Sequence, residues 1–246
     1  VSKYRYADAV RRILEHYEET QGASIDAAAG LVISALRNRG AVFCAEIGHG
    51  TQGDFLNRAG GLAAVQSFSF SFSVSDTVPE CLAGRPAAEA VDREIEAIRL
   101  AVRTSSMRAG DVLLVGSVSG RNVRPIGMSE AARACGIKVV AFTSLVYTEQ
   151  VESLHPSGKK LRDVADVVID NGAPLGDAAC SIPGVDIDVL PVSGVSMDIG
   201  GWLIWERVIE AMAADGDAPT VYMSVNRPGG MDYYQTARAR YQERGY

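Results

Sequence analysis

A chain of 246 residues, 47% of them hydrophobic and 22% charged, is long enough to bury a sizeable core and reads as an ordinary globular protein. Its formal net charge of −6 excludes a general nucleic-acid binder, which needs clustered Lys and Arg, and no apolar run approaches the ~20 residues of a membrane helix. The charged, amphipathic start is unlike a signal peptide, and Cys44, Cys81, Cys135 and Cys180 form no C-x-x-C pair, so the expectation is a cytoplasmic protein with reduced thiols.

Tyr6, Val10, Ile13, Leu14 and Tyr17 at helical spacing predict an amphipathic helix over residues 3–20. Ser24-Ile25-Asp26-Ala27 would cap a second helix running to Asn38, with Gly40 placed as a C-terminal glycine. Residues 41–45 read as a short buried strand, followed by Gly48-His49-Gly50-Thr51 and a helical stretch to Arg58 that Gly60-Gly61 ends. The alternation of Ser with Phe68, Phe70 and Phe72 predicts a strand over 62–72 whose aromatic stripe serves the core or a dimer contact. Val91, Ile95, Ile98 and Val102 predict a helix over 86–107.

Strands follow at 112–115, 137–142 and 166–170, with a helix from Asn122 through Cys135 between the first two. The Gly-, Pro- and Asp-rich region 171–194 reads as a lid, a subunit contact or a long connection. Residues 198–213 read as a helix whose Trp202 and Trp205 pack, 220–225 as a strand, and the tail from Asp232 as a charged helix. Such alternation implies a mostly parallel sheet covered on both faces, with ligands bound at the carboxyl ends of the strands. The whole of 1–246 reads as a single domain, with 1–39 an N-terminal helical pair.

The stretch DVLLVGSVSGRN, residues 111–122, carries the most chemistry. An apolar strand stops at Gly116 and gives way to Ser117-Val118-Ser119-Gly120, and a helix opens at Asn122. The first amides of a helix lack internal partners and its macrodipole is positive there, so two hydroxyls at that place suit a small anion such as phosphate. Arg121 adds a charge-assisted contact. The plain alternative is a strand-to-helix turn in which Ser and Asn are only caps.

The turn resembles the S-x-S-G signature of the sugar isomerase (SIS) domain family. The chain is further similar to a group of bacterial sugar isomerase domain-containing proteins of unassigned activity. The matching stretches include Arg58-Ala59-Gly60-Gly61-Leu62, Ser119-Gly120-Arg121-Asn122 with Pro125-Ile126, and Ala141-Phe142-Thr143-Ser144-Leu145. They continue with His155-Pro156-Ser157-Gly158-Lys159-Lys160-Leu161, Ala165-Asp166-Val167-Val168-Ile169-Asp170-Asn171-Gly172 and Gly176-Asp177-Ala178.

The resemblance implies a three-layer αβα sandwich around a doubly wound, flavodoxin-like sheet. It implies a phosphorylated sugar held by Ser117, Ser119 and Asn122 with the amides of Gly120 and Arg121, Thr143 and Ser144 facing the same pocket, and a homodimer or dimer of dimers. Relatives carry G-x-G-x-S in the first glycine-rich turn, where this chain has Gly48-His49-Gly50-Thr51-Gln52, so Thr51 stands in for the serine hydroxyl. The glutamate base that some relatives keep in the following helix has no counterpart, Asp54 being the nearest carboxylate.

The activity implied is aldose–ketose isomerisation, which needs a base, an acid and a phosphate anchor but no cofactor. Glu46 at a strand end, His49 between two glycines, His155 before a polar loop and Asp177 among small residues are the acid–base candidates, each with a plain structural reading beside it. The histidines His16, His49 and His155 have no metal-ligand spacing. Two alternatives stand beside the isomerase: a phosphosugar sensor without turnover, and, from Ser119-Gly120-Arg121 with Pro125, a sugar-phosphate lyase or etherase.

Overall fold

The computed structural model describes residues 3–86 and 91–246. Five parallel strands form the sheet, β1 (Val42–Ile47), β2 (Val65–Ser67), β3 (Val112–Gly116), β4 (Lys138–Thr143) and β5 (Val167–Asp170), in the order β2-β1-β3-β4-β5. This is the doubly wound α/β arrangement expected, with its switch point between β1 and β3.

Successive strand residues feed opposite layers, as a period of two requires. Val42, Cys44, Val112, Leu114, Val140 and Phe142 pack under α1 (Arg5–His16), α2 (Gly22–Arg37) and α6 (Ser193–Ala214). Phe43, Ala45, Leu113, Val115, Val139 and Ala141 pack under α3 (Arg93–Thr104) and α4 (Val123–Ala134). Burial pushes the Cys44 thiol up to about 12, leaving it a neutral core group.

Several expected boundaries move. The two N-terminal helices join through a π-type turn at Tyr17–Gln21, and no side chain caps α2 at Ser24 or elsewhere. That turn aims the buried Tyr17 at α6, where its hydroxyl donates to the Ser196 carbonyl at 2.8 Å. At the end of α2 the left-handed residue is Arg39 (φ 58°), and the Gly40 amide closes the cap on the Ala35 carbonyl at 2.7 Å.

The helix expected up to Arg58 is a single 3-10 turn, Thr51–Asp54. Of the strand expected over 62–72 only β2 pairs along β1: the ladder stops at Cys44 and Ser67, where β1 enters an irregular stretch before Ile47. Phe68 and Phe70 still lean on the α3/α4 layer, whereas Phe72 is exposed. Asp92 caps α3 by accepting from the Ile95 amide, and residues 87–90 of the expected 86–107 helix lie outside the described residues.

Region 171–194 holds a small antiparallel ribbon, β6 (Ala178–Cys180) with β7 (Val189–Pro191). The helix expected from 198 starts at Ser193. The strand expected at 220–225 is one antiparallel bridge, Leu62 to Val221. The short α5 (Leu145–Glu149) follows β4, and α7 (Gly230–Arg244) closes the chain. Among the described residues no helix is long and apolar enough to cross a membrane.

Candidate functional site

The carboxyl ends of β1 and β3 lie side by side at the switch point, with Ile47 in register with Gly116. A side chain at Gly116 would stand 2.8 Å from Ile47 Cγ2, so glycine lets the two strands bring their loops together. Beyond it the Ser117 amide donates to the Phe142 carbonyl at 3.0 Å, and the Gly120 amide closes the turn on the Ser117 carbonyl at 3.0 Å. Gly120 has φ +62°, and a Cβ there would meet Thr143 Oγ1 and Thr148 Oγ1, each at 2.8 Å. Both the backbone angle and the space demand glycine.

Ser117 and Ser119 are recessed, 7% and 8% exposed. Among the described residues neither hydroxyl has a hydrogen-bond partner, and Asn122, in the N-cap position of α4, makes no side-chain cap. The plain capping role is therefore unfilled: three polar side chains and the first amides of α4 are left for something else. The Arg121 Nε is buried beside them without a partner.

Thr143 and Ser144 are fully buried, and their hydroxyls are already spent. Thr143 Oγ1 donates to the Val118 carbonyl at 3.3 Å and lies 3.0 Å from Thr148 Oγ1, which reaches the Ser119 carbonyl at 3.1 Å. Ser144 Oγ donates to the Ala173 carbonyl at 2.6 Å and caps α5 by accepting from the Tyr147 amide at 3.1 Å. Rather than opening into a pocket, the two residues stand behind the serine turn and fix its backbone.

In the first glycine-rich turn, Gly48 and Gly50 take positive φ and His49 is exposed at the tip. Gln52 Oε1 accepts from the Ile47 amide at 3.1 Å, tying the turn to its strand. Thr51 Oγ1 lies between this turn and the start of α6, 3.9 and 3.7 Å from where a Cβ would stand on Gly48 and Gly194.

Glu46, exposed on β1, lines a cleft of about 170 Å³ with Gln52, Ser67, Ser69 and Arg124, walled by Phe68, Phe70 and Met128. Arg124 comes from the first turn of α4. Its guanidinium stacks 4.5 Å from the Phe70 ring centre and donates to the Phe70 carbonyl at 3.3 Å. One cleft thus unites a carboxylate from β1 with a cation on the helix that the serine turn opens.

The remaining acid–base candidates are elsewhere. Asp177 accepts from the Val192 and Ser193 amides and from the Ser193 hydroxyl, at 3.2, 2.8 and 2.5 Å, and so caps α6 from outside. His155 is buried in a separate cavity between α3 and α4.

Sequence reading passed over Arg124 and Asp198. Arg124 was signalled by a cation two residues after Asn122. Asp198 was signalled by a lone carboxylate in the glycine-rich apolar stretch Met197-Asp198-Ile199-Gly200-Gly201. Its Oδ1 is buried without a hydrogen bond, and desolvation, then the Asp54 charge, push its carboxyl up to about 6 against the pull of Arg58. Among the described residues no group of three or more His, Cys, Asp or Glu is placed to hold a metal.

A family model described as the SIS domain matches residues 5–144. A UPF0309 protein of Streptomyces griseus is 32% identical over 243 residues, which cover 98% of this chain and 95% of that protein. A UPF0309 protein of Halalkalibacterium halodurans is 35% identical over 232 residues, 91% of each. Among solved structures, a phosphoheptose isomerase from Neisseria gonorrhoeae matches at a TM-score of 0.51 and 17% identity, covering 85% of this chain and 95% of that one, a similarity of fold alone.

Proposed function

The chain belongs to the SIS domain family, and from that premise we propose that it binds a phosphorylated sugar and interconverts its aldose and ketose forms without a cofactor. The observation that carries this reading is the pair of recessed serine hydroxyls, Ser117 and Ser119, without hydrogen-bond partners among the described residues at the start of α4. They, the Asn122 side chain and the Gly120 and Arg121 amides hold the phosphate, whose charge the helix terminus favours. Thr143 and Ser144 contribute as the wall that fixes this turn.

The sugar extends toward Glu46, which takes the proton from the carbon next to the carbonyl. Arg124 polarises the oxygen on which the enediolate charge grows. Thr51 and His49, on the first glycine-rich turn beside the cleft residue Gln52, contact the sugar from that turn. Asp177 and His155 serve the scaffold around this site. The chain works as one domain, in the cytoplasm, as a homodimer or a dimer of dimers.

A second reading, phosphosugar binding without turnover, is favoured by the placement of Asp177 and His155, which leaves Glu46 and His49 as the acid–base groups near the turn. The lyase or etherase alternative has no residue of the cleft that favours it over these two.

Thermal shift against a panel of sugar phosphates, with the unphosphorylated sugars as controls, tests the binding. At about 100 times its dissociation constant a ligand that binds only the native state adds ~2.7 kcal/mol, a readable rise in the melting midpoint. The shift is expected for one phosphosugar class and is expected to vanish in Ser119→Ala. A flat panel overturns the reading. Incorporation of solvent deuterium into the bound sugar then separates isomerase from sensor.

A further inference from the structure

A second cavity, about 300 Å³, lies between α3 and α4. Ile95, Arg99 and Arg103 reach it from one side of α3 at four-residue spacing, and Gly127, Glu130, Ala131 and Ala134 from one face of α4. Cys135 and His155, the latter 7% exposed, complete the lining.

The His155 ring is tied through Nδ1, which lies 2.8 Å from the Ser157 hydroxyl and accepts from the Ser157 amide at 3.2 Å, an arrangement that suits a proton on Nε2. That Nε2 is buried with no hydrogen bond. Glu130 Oε2 faces it at 3.8 Å, too far for a direct bond, while Glu130 Oε1 is held by Lys159 at 2.9 Å. A hydroxyl seated to one side of this pair would accept from the ring and donate to the carboxylate. A buried N–H left without a partner is costly, and a bridging hydroxyl relieves that cost.

Arg103 supplies the charge. Among the described residues it makes no ion pair, whereas Arg99 is shared with Glu96 at 2.8 Å. Ile95, Ala131 and Ala134 add an apolar wall. From this set we infer a second ligand site, for a small hydroxylated carboxylate with an apolar body. Its carboxylate sits on Arg103, its body on the alanines and Ile95, and its hydroxyl between His155 and Glu130.

The site is wired to the serine turn. The loop bearing His155 is bracketed by two backbone bonds to that turn, Leu154 amide to Arg121 carbonyl at 2.9 Å and Leu161 amide to Gly120 carbonyl at 2.8 Å. α4 carries Arg124 in one cavity and Glu130 in the other. An occupant of the second cavity therefore shifts the affinity of the turn for phosphate, and phosphate shifts the occupant by the same factor. This coupling rests on the phosphosugar reading; the second site itself does not.

The test uses the full chain and 4-hydroxybenzoate as probe, read by ligand-observed NMR and calorimetry. Benzoate lacks the hydroxyl and 4-hydroxybenzyl alcohol the carboxylate. The probe is expected to bind more tightly than either control, to weaken about tenfold in Arg103→Gln, and to fall to the affinity of benzoate in His155→Phe. Ser119→Ala is expected to leave probe binding intact.

No probe binding, or binding that Arg103→Gln leaves unchanged, overturns the site. Arg103 lies on the exposed side of α3, so that variant stays folded even if His155→Phe does not. Inorganic phosphate titrated with and without the probe reads the coupling; equal affinities overturn the link to the serine turn and leave the second site standing.

Discussion

Asp177 and Ser193 are joined twice: the Asp177 carboxylate accepts from the Ser193 amide at 2.8 Å and from its hydroxyl at 2.5 Å. A carboxylate placed at the start of the 22-residue α6 satisfies orphan amides and matches the positive end of the helix dipole. Asp177 itself sits in the left-handed region (φ 59°), held there by the turn that leads into β6. Asp177→Ala is expected to cost about 1–3 kcal/mol, lowering the melting midpoint by roughly 2–4 °C per kcal/mol. Calorimetry checks this. A variant of wild-type stability that has lost turnover would make Asp177 catalytic instead.

Asp198 gives a pH signature. Its folded carboxyl is raised to about 6, first by desolvation and then by Asp54. The native state therefore holds this proton more tightly than the unfolded chain, whose carboxyl titrates near ~3.9. The stability this confers is present below ~3.9 and is lost as pH rises through about 6. Asp198→Asn is expected to stabilise the protein by about 1 kcal/mol near neutral pH, after solvent screening, and to make no such difference below ~pH 4. Urea unfolding at the two pH values reads it, and a gain that is the same at both contradicts the assignment.

Glu46 is the base in the proposed isomerisation. Glu46→Gln keeps the size of the side chain but removes its basicity and replaces one accepting oxygen with an amide donor. Exchange of the sugar proton with solvent is expected to fall by about a hundredfold or more, with phosphosugar affinity kept within a few-fold. Exchange that survives at the wild-type rate moves the base elsewhere, with His49 the next group to replace.

The base of the site rests on a tight contact between α6 and the turn after β1. A Cβ on Gly201 would stand 2.2 Å from Phe55 Cζ, and Phe55, 1% exposed, is fixed edge-on between Trp202 and Trp205. Gly201→Ala is expected to cost about 1–3 kcal/mol through overpacking. Because Phe55 follows Thr51–Asp54 directly, the first glycine-rich turn should shift as well. Denaturant unfolding measures the first effect and phosphosugar affinity the second.

The layer architecture and the serine turn are legible in the amino-acid order alone. Continuous apolar runs such as 112–115, alternating with helical patterns, point to central parallel strands, and Gly116 to Asn122 is a local strand-to-helix signal set by neighbouring residues. The order of the elements is legible there too, since periodicity is a property of the segment that carries it. The edge of the sheet was overread because Phe68, Phe70 and Phe72 alternate like a strand. Whether they pair depends on the regularity of β1, which lies elsewhere in the chain and shifts register after Cys44.

Which polar groups are free follows from the three-dimensional packing. Ser117, Ser119, Thr143 and Ser144 are indistinguishable hydroxyls in one dimension. The fold brings Thr148, Val118 and Ala173 to the latter two and, among the described residues, no partner to the hydroxyls of the former. The same holds for Asp177, whose partner Ser193 is 16 residues away, and for His155, which α3 and α4 enclose. A side chain's chemistry is local, but its hydrogen-bond partners and its access to water are set by distant segments meeting, and those decide whether it can act on a ligand.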